Sequence, residues 1–199
     1  MAGYQALAAV GRSVVALLNR RFAVEPPGPR RPTAVLVGTA DLDRHNQPGA
    51  MIQFPAVSVY CYRLSVDRET RPGWSAVSGA DGVPRLPLRM HLLVSAWDTT
   101  AESELESLGL AVSALTAEPV LTVPQLDAGG QWRPGDSVQV VPDELALDSM
   151  SEAFQALTAD FRLCLPYVAR SVLIEGPRAP DGGEPVATVL AGRDRGETP

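Results

Sequence analysis

FPAVSVYCYRLSVDRETRPGW, residues 54–74, opens as a β-strand and closes as a charged, turn-rich ribbon. From Val57 onward one side of the strand carries Val57, Val59 and Cys61, and the other carries Ser58, Tyr60, Tyr62 and Leu64. A strand with one wet side alternates apolar with polar residues, whereas this one is apolar or amphipathic on both. Its second side therefore calls for a cover, and its run into Asp67, Arg68, Glu69 and Arg71 points to a hairpin arm.

Working outward, LPLRMHLLVSAW places Leu86, Leu88, Met90, Leu92, Val94 and Ala96 on one side of a second strand. Arg89, His91, Leu93, Ser95 and Trp97 take the other side. Two long strands joined by the turn-rich RPGWSAVSGADGVPR predict an extended antiparallel hairpin. Upstream, TAVLVGTADL reads as a strand from Thr33 to about Thr39. Before it, Tyr4, Leu7, Gly11, Val14 and Leu18 fall on one helical stripe, and the stiff EPPGPRRP link ends that helix. Downstream, Thr99 with Glu102 fits a capping box, Leu105, Leu108, Val112 and Leu115 form the expected buried stripe, and Pro119 closes the helix. SVQVVP reads as a short strand, DELALDSMSEAFQAL as helical turns and DFRLCLPYVARSVLIE as a last strand. Pro166 cannot donate a ladder hydrogen bond, which predicts that this strand lies at an edge or carries a bulge.

The order of elements predicts a two-layer α+β fold: a mostly antiparallel four-stranded sheet with helices packed on one face. Residues 1–176 read as one domain and the Pro/Gly-rich 177–199 as a flexible tail, although PVATVL within it has the composition of a strand. Two helices cannot cover both faces of such a sheet. Tyr60 and Tyr62 are then left on the uncovered face as a surface for another subunit. With the arm, the candidate interface comprises Tyr60, Tyr62, Arg63, Arg68, Glu69, Arg71 and Trp74.

Composition excludes several functions. A net charge of −6 argues against a general nucleic-acid binder, which would show a basic face. All 17 basic residues are arginine, which reads mainly as the codon usage of a GC-rich genome. No apolar run of about 18 residues exists to span a membrane, and Arg12 interrupts what would be a leader's apolar core. Cys61 and Cys164 read as small packing residues in a reduced, cytoplasmic protein. Asp41, Asp43 and Asn46 lack the turn glycine and closing glutamate of a calcium loop. No nucleophile elbow, phosphate-binding glycine loop or helical zinc pair is present, and no cofactor is expected. His91, with Asp98 or a serine, leaves open a small ligand-binding or hydrolytic α+β domain; a monomeric adaptor binding a peptide along the Pro166 strand is a further alternative.

The central pattern also resembles a known family. Pro55, Tyr60 and Tyr62 on one strand, the charged Arg68, Glu69 and Arg71, a strand ending at Ala96 and Trp97, and a helix leading to Pro119 are similar to the cap, or tail terminator, of extracellular contractile injection systems of the Photorhabdus virulence cassette and antifeeding-prophage type. The similarity covers roughly residues 4–175, and SEAFQAL stands where the family's pattern has a tryptophan. The resemblance implies a phage tail-terminator-like fold and a structural role without enzymatic activity. It further implies a homo-oligomeric ring, most simply a hexamer, that closes the inner tube and sheath, with no nucleic acid and no membrane insertion.

Overall fold

The hairpin read from residues 54–97 is the spine of the molecule. A computed structural model describes residues 3–24, 31–69, 83–144 and 162–176. In chain order its elements are α1 (Ala6–Phe22), β1 (Thr33–Val37), α2 (Thr39–Leu42), β2 (Ala56–Val66), β3 (Arg85–Trp97), α3 (Ala101–Ala117), β4 (Val120–Thr122), β5 (Ser137–Pro142) and β6 (Cys164–Glu175). The hairpin connection with Arg71 and Trp74, the helical turns read near residues 145–157, and the tail from residue 177 lie outside the described residues.

The sheet corrects the four-stranded expectation. It has six strands in the order β1-β2-β3-β6-β5-β4. β1 runs parallel to β2, and the other neighbours are antiparallel. β4 is three residues long, too short for its alternation to be read from sequence. β6 lies between β3 and β5 and so is not an edge strand, but it does carry a register irregularity, the other alternative, between Ala169 and Val172. Pro166 is tolerated there because β5 ends beside it: Asp143 N donates to Pro166 O at 2.9 Å, where a reciprocal donor from Pro166 would otherwise be needed.

α1 and α3 cover one face and enclose the main core. α1 buries Val10, Val14, Leu17 and Leu18 against Val57, Val59, Leu92 and Val94 of the hairpin. At Gly11 the helix also runs close to β1: a Cβ there would stand 2.9 Å from Leu36 Cδ1, so a larger residue would need that side chain to shift. Asn19 then serves the backbone of β1: its amide donates to Ala34 O at 2.9 Å and its carbonyl accepts from Ala34 N at 2.8 Å. The outer edge of β1 is thereby occupied at this point by a side chain that mimics a strand.

α3 starts one residue later than its sequence suggests, with Thr100 as the cap accepting from Ser103 N. Its buried face is also different. Ser107, Ala111, Ala114 and Leu115 face inward, Leu108 is half-buried, and Leu105 is 59% exposed. Small residues let α3 approach the layer beneath it closely, and this rotates the expected leucine stripe partly out of the core.

The second face is not bare. Between β1 and β2 the chain returns across it, and Ile52 and Trp97 pack with Val37 and Ala56, joined by Phe54, Leu42 and Tyr60. Trp97 Nε1 donates to Ser58 Oγ at 2.7 Å, which satisfies both buried polar groups. This cluster covers the second face only at the Trp97 end of the hairpin.

Candidate interface site

A bulge divides the hairpin into two halves. Cys61 pairs with Leu92 but Arg63 pairs with His91, so Tyr62 is an extra residue in β2. Beyond it the sides exchange. Leu64 now stands on the side of Met90, toward the helices, and Arg63 on the side of His91. Strict alternation read through the bulge had put Leu64 on the opposite side. β6 carries a matching irregularity between its pairings with Leu88 and Met90, where Ser171 has φ 64°.

The half beyond the bulge is held by ion pairs. Arg89 donates to Asp67 Oδ1 at 2.8 Å and lies 3.0 Å from Glu69 Oε2. Hydrogen bonds to these two carboxylates hold the Arg89 guanidinium above its ordinary range. Asp67 is buried, and its backbone N–H donates to Pro87 O, tying the end of β2 to β3. On the neighbouring strand, Arg85 Nε donates to Glu175 Oε1 at 2.9 Å, and Arg133 reaches the same oxygen at 2.8 Å. Sequence reading placed Asp67 and Arg89 on neighbouring strands; that they meet in one ion-pair clamp followed only from register.

The named candidates divide accordingly. Tyr60 is half-buried on the second cluster, and its hydroxyl lies 3.1 Å from Thr39 Oγ1. Tyr62 meets the His91 ring edge-on at 5.9 Å, and partial burial, with the nearby Asp143 charge, pushes its phenol up. These two are more covered by their own chain than the sequence implied. Arg63 and Arg68 are exposed, and Glu69 is exposed beside Arg89. Near them Leu64, Val66 and Leu86 are exposed large apolar side chains.

His91 bridges strands. Its Nε2 lies 2.8 Å from Ser65 Oγ and its Nδ1 2.8 Å from Asp143 Oδ2, not near Asp98 as one sequence alternative required. The trio has the connectivity of a nucleophilic triad. Ser65, however, sits in the β2–β3 ladder opposite Arg89, on a regular strand and not on a tight turn that would project its hydroxyl. The arrangement ties β2 and β3 to the end of β5. His45 stacks on Phe54 and tilts against Trp97, while Arg162 lies 4.2 Å over the Trp97 ring and pairs with Glu104 at 3.2 Å. Burial pushes both thiols up, that of Cys164 to about 11, which favours the protonated form at neutral pH. Among the described residues no three His, Cys, Asp or Glu side chains are grouped to hold a metal. No helix among them is long and apolar enough to cross a membrane.

On its outer side α3 presents Glu102, Leu105, Glu106 and Gly109 on one exposed stripe. Glu106 also borders a groove lined by Pro32, Pro55, Ser107 and Leu110. Among the described residues the interior leaves Arg89 Nε, Tyr167 Oη and Arg170 Nε buried without a hydrogen-bond partner.

An α+β sheet of this arrangement is the fold of tube terminators from contractile injection particles. It is similar to the PVC sheath/tube terminator of an extracellular contractile injection system in its extended state, at 18% identity and TM-score 0.58 over 96% of this chain and 64% of that one. It is likewise similar to the tube-terminating cap of the anti-feeding prophage, at 17% identity and TM-score 0.53 over 94% of this chain and 59% of that one. The chain spans less than two thirds of the length of either. Residues 9–188 match the family described as the Pvc16 N-terminal domain, and the chain belongs to that family. No curated protein matches the sequence.

Proposed function

We propose that this chain is a structural, non-enzymatic cap subunit that closes the inner tube and contractile sheath of a phage-tail-like injection particle. It acts as one member of a closed ring, most simply six-fold, assembled in the cytoplasm at the end of the particle. The observation that carries this reading is the alignment of 96% of the chain with a sheath/tube terminator. The arm fits that role: Arg63, Arg68 and Glu69 are exposed on a hairpin clamped by Arg89 with Asp67. Arginine suits such a contact because its planar fork pairs with carboxylates in two hydrogen bonds.

The test is assembly. Particles purified from cells making the tube, sheath and this chain are expected to carry it as the terminal layer and to have uniform length. Arg68→Ala with Arg71→Ala is expected to leave the subunit folded while lengths become irregular. Particles of normal, uniform length without the chain at their end would rule the reading out. The domain itself is residues 1–176: removing residues 177–199 is expected to leave the melting temperature unchanged. A large drop would place PVATVL inside the folded unit.

A further inference from the structure

No further inference is drawn: the strongest candidate, the slot where β1 stops at Val37 while β2 runs on to Val66, lined by Leu7, Leu36, Cys61, Leu64 and Met90, is an unpartnered apolar groove, and nothing in the structure shows what covers it.

Discussion

The two halves of one hairpin are built on different physics. From Ala56 to Cys61, β2 and its partner residues Leu92 to Trp97 are packed on both faces, by helices on one and by the Ile52–Trp97 cluster toward the end of the other. Beyond the Tyr62 bulge the same two strands are flanked by exposed leucine and valine and held by Arg89 with Asp67 and Glu69. Burial on both faces holds the first half in place. The second half keeps its shape through directional ion pairs, which fix an arm without consuming its apolar surface. Leu64, Val66 and Leu86 stay exposed as a result.

Mutations in the first half should therefore register as stability and those in the second as assembly. The largest effect is expected at Leu92, fully buried in the main core: Leu92→Ala should cost about 2–5 kcal/mol in denaturant unfolding. Asp67→Ala comes next. It leaves the partly buried Arg89 with only the exposed Glu69, so a loss of about 1–3 kcal/mol is expected, with faster hydrogen exchange confined to the distal hairpin. Exchange rising equally in Val57–Val59 would show that the two halves unfold as one and would break the comparison. Arg63→Ala with Arg68→Ala should change stability by no more than about 0.5 kcal/mol each, while particle length becomes irregular.

The smallest expected effect is a pH dependence at the far corner of the core. Partial burial alone would raise the Glu118 carboxyl, but the hydrogen bond from Arg21 and the charges of Arg20 and Arg21 outweigh it and hold it below its ordinary range. A depressed carboxyl contributes stability above its unfolded-state pKa and loses it as pH falls through the folded-state value. Glu118→Gln should therefore lower the melting temperature modestly at neutral pH and hardly at all in strong acid. An equal loss at both would show that packing, not charge, holds α1 to the end of α3.

Much of this was legible in the chain. Alternation along residues 57–61 and 86–96 identified the long strands and their core sides, because period-two patterning is dictated by the pleat itself. The α1 stripe through Gly11, Val14 and Leu18 and the Pro119 stop were also present in residue order, whereas Tyr4, read on the same stripe, precedes the helix and is exposed. Resemblance carried by Pro55, Tyr60, Tyr62, Ala96, Trp97 and Pro119 identified the family. Tertiary structure decided the rest. Whether Leu105 or Ala111 faces inward depends on how closely α3 approaches the sheet, which small residues permit but no local propensity encodes. The exchange of sides at Tyr62 depends on a one-residue bulge, and a single extra residue inverts every side chain after it. Pro166 could sit inside the sheet only because β5 stops beside it. The clamp of Arg89 on Asp67 and the bridging of Ser65 and Asp143 by His91 join residues distant in sequence through strand register. Register is a property of the assembled sheet, set by packing across all six strands and not by any one of them.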